Sequence, residues 1–247
     1  MKIAVISDIH GNMEALEAVL NDIKDIACEK IFMLGDYAMA GPDPKQTVDK
    51  ISSFQFNNNV SIIQGNTDYM IANYTSEIYD SIKEKAPVMA EALRNDVMLL
   101  NPIQKNFLKS LPIQLQVEIE GVKILLVHGS PRRNNEDIHP DLTIEQVEEM
   151  LKDVVADVIL CGHTHIPCGY QTSTKKSVVN VGSVGRPFTK EPKACYLKLT
   201  VNNGKCIFEH RFVEYNKEQA ANKLRKRKFI GSDKLAETLL NPIHRHF

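Results

Sequence analysis

No C-x-x-C pair occurs in this chain, and its five cysteines, Cys28, Cys161, Cys168, Cys195 and Cys206, are odd in number and widely spaced. That pattern argues against a disulfide framework and against a structural zinc site, and the cysteines read as small buried hydrophobes. Long apolar runs are missing too. None approaches the ~20 residues of a membrane span, and the first, Ile3–Ile6, gives way to Asp8 and His10 before a signal-peptide core is complete. The expectation is a cytoplasmic protein without a membrane partner. Charge of one sign is also lacking: 30 Lys+Arg stand against 31 Asp+Glu, a net −1, so no global field draws the protein to a polyanion. The basic run Leu224–Lys228 falls on an expected C-terminal helix and reads as a solvated face. A nucleic-acid foothold there is the sharper alternative, but only Phe229 offers an adjacent ring for stacking.

The 247 residues, 43% hydrophobic and 25% charged, allow one large domain or two small ones with a sizeable core. Lys2–Ser7, Lys30–Leu34 and Val60–Gln64 read as strands. Between them lie helical patterns, one capped by Asn12 and one over Pro44–Ile51, an alternation that predicts βαβ units and a parallel sheet. From about residue 70 to 111 the apolar spacing is helical, with Asn101-Pro102 as a helix start. Gln114–Ile119 and Val122–Val127 form a hairpin across Glu120-Gly121, and Thr143 with Gln146 opens a helix to about Lys152. Val158–Cys161, Ser177–Val181, Ala194–Val201 and Lys205–Glu214 are further strands, the last two joined across Asn203-Gly204. Helices at about 217–228 and 233–240 finish the chain. With no repeat or linker, residues 1–247 read as a single domain with a helical insert at about 70–111 and C-terminal helices at about 217–240.

Five of the apolar runs stop at clusters of Asp, Asn or His: Asp8-Ile9-His10, Gly35-Asp36, Gly65-Asn66-Thr67-Asp68, His128-Gly129 and Gly162-His163-Thr164-His165. In α/β sheets ligands bind beyond the carboxyl ends of strands, so clusters distant in sequence can converge. Residues i and i+2 of extended backbone share a face, which would let Asp8 with His10, and His163 with His165, each grip one centre. Four imidazoles, two carboxylates and an amide, without thiolate, suit manganese, iron, zinc or cobalt. Seven donors exceed the needs of one ion, so a pair of ions sharing a carboxylate is the economical arrangement, with Asp36 as the natural bridge.

The motif series resembles that of the calcineurin-like metallophosphoesterase family: D-x-H, G-D, G-N-H-[ED], H and G-H-x-H, in this order. The resemblance implies one metal on Asp8, His10, Asp36 and His165 and a second on Asp36, Asn66, His128 and His163. The ions would be manganese or iron, with zinc, cobalt or nickel as alternatives. It implies an α/β/β/α sandwich of two mixed β-sheets flanked by helices. The implied activity is that of a dinuclear metal-dependent phosphoesterase, with catalytic work at Asp36, Asn66, Asp68 and His128. Gly41-Pro42-Asp43-Pro44, His128-Gly129-Ser130-Pro131 and Asn180 to Pro187 look like the small bacterial and archaeal branch of uncharacterised phosphodiesterases and diadenosine-tetraphosphatase-related proteins.

One position departs from that pattern. Thr67 stands where many relatives carry a histidine, and a hydroxyl cannot act as a general acid near neutral pH. The departure favours leaving groups that need little protonation, such as aryl esters or phosphoanhydrides; the alternative is that another group or a metal-bound water supplies the proton. Two divalent ions, two aspartates and a bridging hydroxide leave a local charge near +1 for attracting a phosphate, and attack of that hydroxide on a phosphodiester or nucleotide phosphoanhydride is the expected reaction. The expected partner is a small phosphate-ester or nucleotide substrate. A broad phosphomonoesterase or protein phosphatase, and a non-catalytic scaffold on the same fold, are the alternatives. Thr67, Arg186 and Arg132 are candidates for gripping substrate, with Arg133 beside them. Asn180 and Ser183 are either supports for the ligands or turn residues. His139, His210, His244 and His246 read as surface or satisfied polar groups.

Overall fold

Residues alternate strictly between two cores along the central strands. In β1 (Lys2–Ile6), Ile3 and Val5 face a second sheet while Ala4 and Ile6 face a layer of helices. In β5 (Val122–Val127), Ile124 and Leu126 enter the same inter-sheet core, and Leu125 and Val127 face outward beneath a helix. Such strands, buried on both faces, read as continuous apolar runs because a period of 2 has no polar side to reveal. The computed structural model describes residues 1–242, so His244 and His246 lie outside the described residues.

The first sheet contains β1, β2 (Lys30–Met33) and β3 (Val60–Ile62) in parallel, with the hairpin β9 (Ala194–Asn202) and β10 (Lys205–Val213) added antiparallel beside β1. Its spatial order is β10-β9-β1-β2-β3. The second sheet runs β4-β5-β6-β8-β7, where β4 is Gln114–Ile119, β6 Val158–Cys161, β7 Cys168–Gln171 and β8 Ser177–Asn180. Strands β5, β6 and β8 are parallel and both edges antiparallel. Helices α1 (Met13–Asp25), α2 (Pro44–Ser52), α3 (Asn66–Ala72), α5 (Pro87–Leu99), α6 (Pro102–Ser110), α8 (Lys217–Lys226) and α9 (Ser232–Leu240) cover the first sheet, joined by α4 (Ser76–Lys85) at their margin. Helix α7 (Ile144–Met150) covers the second. This is the expected α/β/β/α sandwich of two mixed sheets flanked by helices. No helix among the described residues is long and apolar enough to cross a membrane.

Local signals explain most boundaries. Asn12 Oδ1 accepts from Ala15 N at 3.2 Å and caps α1. Reciprocal capping boxes open α6 at Asn101 and Gln104 and α7 at Thr143 and Gln146. Both hairpin turns, Glu120-Gly121 and Asn203-Gly204, have positive φ at both residues, the twist that two-residue connections require. Several boundaries differ from expectation. Strand β7 has only four residues, includes Gly169 and lies at an edge, so no apolar alternation marks it. Strand β3 stops at Ile62. Helix α3 starts at Asn66 rather than near residue 70, because Asp68 in its first turn accepts the Gly65 N–H at 2.9 Å.

Arg211 on β10 closes the helix layer onto the sheet. Its guanidinium donates to both oxygens of Asp22 on α1 at 2.8 and 2.9 Å, and Tyr196 Oη donates to Asp22 Oδ2 at 2.5 Å. The Arg211 hydrogen bonds hold the Asp22 carboxyl below the usual range. Asp22→Asn is expected to cost roughly 1–3 kcal/mol at pH 7, and a carboxyl with a lowered folded pKa stabilises only above the pH at which it titrates. In urea unfolding monitored by circular dichroism, the gap between wild type and variant should therefore close as pH falls through the carboxylate range.

Candidate metal centre

Five of the six parallel strands of the two sheets deliver candidate ligands to one end of the sandwich. The chain leaves β1 into Asp8 and His10, β2 into Asp36, β3 into Asn66, β5 into His128 and β6 into His163 and His165. The pairing of Asp8 with His10 does not come from extended backbone. Asp8, His10, Asp36, His163 and His165 all lie beyond their strands with φ between 48° and 68°, the left-handed region that non-glycine residues seldom occupy. Each loop bends back at once, and the i, i+2 side chains converge through that bend rather than through a shared strand face. Backbone strain of this kind persists where the surroundings over-determine it. Gly65 is one such constraint, since a Cβ there would sit 2.1 Å from Asp36 Oδ1.

The donor atoms meet closely. Asp8, His10 and His165 bring ligand atoms within 4.8 Å of one another, as do Asp8, Asp36 and His128, and all five are buried. Asp36 reaches toward both groups, Oδ2 lying 3.7 Å from His10 Nε2 and Oδ1 3.3 Å from His128 Nε2. Asp8 Oδ1 lies 3.2 Å from His165 Nε2 and 4.0 Å from His128 Nε2. His163 stands at the rim, its ring edge-on to His128 with centroids 5.2 Å apart and its Nε2 3.4 Å from Asp137 Oδ1.

Backbone carbonyls fix the tautomers. Nδ1 of His10 meets Met39 O at 2.9 Å, Nδ1 of His128 meets Leu34 O at 2.8 Å, and Nδ1 of His165 meets Arg186 O at 2.6 Å. A carbonyl only accepts, so each ring donates from Nδ1 and turns its Nε2 inward, where it has a lone pair for a metal once any proton there is displaced. His10 and His165 then face each other Nε2 to Nε2 at 3.1 Å, and His128 Nε2 faces Asn66 Oδ1 at 2.9 Å. Lone pairs that close need a proton or a cation between them. Asp8 Oδ1 is buried without a hydrogen-bond donor, an arrangement that costs heavily unless a cation completes it. These donors fit divalent metal ions.

The electrostatics agree. Burial opposes charge on Asp8, yet the neighbouring His165, His128 and His10 rings hold its carboxyl well below the ordinary range. Asp36 is lowered in the same way, against its burial, chiefly by His128. His128 is pushed up to about 10, because Asp36 and Asp8 outweigh its own desolvation. The pull these carboxylates exert on a proton is the pull they exert on any cation. His165 is held down to about 4 by burial, with His10 and Arg186 adding to the effect against Asp8. It therefore offers a neutral donor.

Around the donors lies a cleft of about 190 Å³, bordered by Thr67, Arg186, Phe188 and the thioethers of Met39, Met70 and Met89. Thr67 N donates to Asp36 Oδ1 at 2.9 Å. Two expected site residues lie elsewhere. The Asp68 carboxylate accepts the N–H groups of Asp36 at 2.8 Å, Tyr37 at 3.0 Å and Gly65 at 2.9 Å. Burial and the Asp36 charge push it up to about 7 against those bonds. It holds the Asp36 loop from behind and does not border the cleft. Arg132 makes two bonds to Glu136, at 3.0 and 2.6 Å, and Arg133 a third at 2.8 Å, so both sit in a local ion-pair knot outside the cleft. Asn180 and Ser183 prove to be supports: Asn180 Nδ2 donates to Gly162 O at 2.7 Å and Ser183 Oγ to Asp8 O at 2.8 Å. Cys161 is a buried strand residue with its thiol toward Val179 O, and His210 Nε2 meets Asn180 O at 2.7 Å. The three methionines and Phe188 carried no signal in the sequence, since apolar residues in loops and helices look like core.

Comparison with known proteins places this arrangement. Residues 1–204 match the family model of the calcineurin-like phosphoesterase superfamily domain. An uncharacterised protein of Methanocaldococcus jannaschii is 32% identical, the match covering 90% of this chain and 91% of that one. A crystal structure of a hypothetical protein from Pyrococcus horikoshii superposes with a TM-score of 0.86 at 25% identity, covering 97% of this chain and 98% of that one. The crystal structure of a metallophosphoesterase from Sphaerobacter thermophilus gives 0.76 at 25% identity over the same shares.

A ligand that binds only the folded state at a hundred times its Kd stabilises by about 2.7 kcal/mol. Adding Mn²⁺ to chelator-treated protein should therefore raise its thermal midpoint by several degrees. The same addition to Asp8→Asn or Asp36→Asn should move it little, as read by differential scanning calorimetry.

Proposed function

The chain belongs to the calcineurin-like phosphoesterase superfamily and is a metal-dependent phosphoric ester hydrolase, and from that premise we propose that it cleaves a phosphodiester or a nucleotide phosphoanhydride at a dinuclear centre. The observation that carries the reading is the inward set of Nε2 atoms of His10, His128 and His165 and the Asn66 amide oxygen around the buried carboxylates Asp8 and Asp36. Asp8, His10, Asp36 and His165 would hold one ion, and Asp36, Asn66, His128 and His163 the other. Bound divalent ions supply the Lewis acidity that makes water nucleophilic at neutral pH and the positive charge that offsets the phosphoryl oxygens. The nearly neutral protein then has one positive cleft.

The remaining roles fall to this chain's own side chains. The guanidinium of Arg186 borders the cleft, where it can pair with a phosphate oxygen, and its carbonyl orients His165. Thr67 borders the same space with its hydroxyl directed to Ala38 O at 3.3 Å. It provides no general acid, which favours a leaving group that departs with little protonation. Met39, Met70, Met89 and Phe188 form an adaptable apolar wall, with Phe188 stacked on the His165 ring at 4.7 Å. Thioethers and rings suit a flat aryl or base-bearing leaving group. The name of the Sphaerobacter neighbour, a metallophosphoesterase, supports the same class. A non-catalytic scaffold would have no need to keep the full donor set, and the nucleic-acid reading of the basic run loses ground because Arg227, its fourth member, is buried in an ion pair.

Chelator-treated protein resupplied with manganese, cobalt, nickel, iron or zinc is expected to hydrolyse bis-p-nitrophenyl phosphate, and Asp36→Asn or His128→Ala to abolish turnover. Absence of metal-stimulated hydrolysis of both that diester and p-nitrophenyl phosphate would overturn the proposal. Across a series of phenyl esters the rate should fall steeply as leaving-group pKa rises. Thr67→His should flatten that slope, since a general acid is worth about 10²- to 10⁴-fold in rate.

A further inference from the structure

Helix α5 and the end of α8 meet at a buried ion pair that has no counterpart in the surface charge pattern. Arg227, just past α8 and 7% exposed at its side chain, is paired with Asp96 of α5, which is fully buried. The guanidinium also donates to Gly41 O at 2.6 Å and to Asn95 Oδ1. The other Asp96 oxygen accepts the Met39 N–H at 2.7 Å. Met39 O, one residue along, takes the Nδ1 hydrogen of His10 at 2.9 Å. A continuous chain of bonds therefore runs from the C-terminal helix, through the helical insert and one residue of backbone, to a candidate metal ligand.

The segment it holds is one that would not hold itself. Met39 and Ala40 have φ of 77° and 67°, two consecutive non-glycine residues in the left-handed region, a conformation kept only under outside constraint. Gly41 passes so close beneath His10 that a Cβ there would lie 1.5 Å from His10 O. Asp96 takes the N–H at the start of this strained pair, and Arg227 takes the carbonyl just after it. Released, the pair would relax toward ordinary φ and carry Met39 O away from the imidazole.

We propose that the Asp96–Arg227 ion pair is a positioning device for His10: by pinning the Met39–Gly41 segment it holds the carbonyl that sets the tautomer and direction of the His10 ring. The inference rests on the metal-centre reading above, and it gives the helical insert a task beyond covering the sheet. Loss of a partner bonded to a ligating histidine typically weakens metal binding by about 10- to 100-fold, and displacing the Met39 carbonyl would amount to that loss.

The test uses the full-length chain in four forms: wild type, Arg227→Lys, the double variant Asp96→Leu/Arg227→Met, and Arg211→Met. The double variant replaces both charges with apolar side chains of similar size, a change that often leaves stability nearly intact. Arg211→Met breaks an ion pair remote from the metal loops and serves as the control. Titration calorimetry with Mn²⁺ should show the double variant about 10- to 100-fold weaker at one site, Arg227→Lys in between, and Arg211→Met unchanged even though its thermal midpoint drops. Nitrogen-15 spectra of the metal-free proteins should show His10 Nδ1 uniformly protonated in wild type and Arg211→Met, and a population with Nδ1 unprotonated in the double variant. Unchanged affinity together with an unchanged His10 spectrum in a folded double variant would overturn the proposal, as would equal losses of affinity in the double variant and in Arg211→Met. Wild type that binds no Mn²⁺ would fail the metal-centre reading alone, and the His10 spectra would still decide whether the ion pair sets the ring. If the double variant does not fold, Arg227→Lys carries both measurements.

Discussion

Two carboxylates with less than one-twentieth of their surface exposed, Asp8 and Asp36, sit in the same end of the sandwich, and the rest of the structure answers to that fact. Isolated charges of one sign removed from water are expensive unless opposite charge and hydrogen-bond donors surround them. The donors are backbone groups brought from far away: His163 N meets Asp8 Oδ2 at 2.9 Å across 155 residues, and Thr67 N meets Asp36 Oδ1. The opposite charge must come from the middle, where three imidazoles point their lone pairs. Parallel strands are the means by which one small volume receives so many chain segments, because each contributes only the residues beyond its carboxyl end.

Around that centre the supports are layered by type of bond. Backbone carbonyls set the imidazoles, Asp68 gathers the N–H groups of the Asp36 loop, and Asn180 and Ser183 fasten the loops after β6 and β1. Most partners of the catalytic end are therefore main-chain atoms whose positions depend on strand register. Apolar packing reaches the cleft through the methionines and Phe188.

Much of this was legible in the sequence, for reasons that can be named. Continuous apolar runs ending in Asp, Asn or His located the strands and the donors together, since a parallel strand is buried on both faces and its polar residues begin where it stops. The hairpin at Asn203-Gly204 and the caps at Asn101 and Thr143 are local chemistry and were read as such. What escaped is non-local. Strand β7 exists because β8 offers it an edge, and no pattern within Cys168–Gln171 says so. Arg227 sits in a run of basic residues and looks solvated, yet it is buried because Asp96, 131 positions earlier, requires it. Asp68 looked like a reacting group from its place in a motif, whereas its three N–H partners make it a brace. The convergence of Asp8 with His10 was anticipated, but for the wrong geometric reason: the backbone there is bent into the left-handed region, which only the completed loop can enforce.

Strand β1 lies at the centre of its sheet, between β2, made from the next thirty residues, and β9, made almost two hundred residues later. The N–H that caps Asp8 arrives with residue 163 and the cation that steadies the Met39 loop with residue 227. The first candidate ligands, Asp8 and His10, are thus made well before the residues that contact their loops. The candidate metal pocket therefore draws its contacts from nearly the whole length of the chain, and a C-terminally clipped chain lacking α8 would keep every candidate ligand residue while losing the Arg227 contact to Gly41 O.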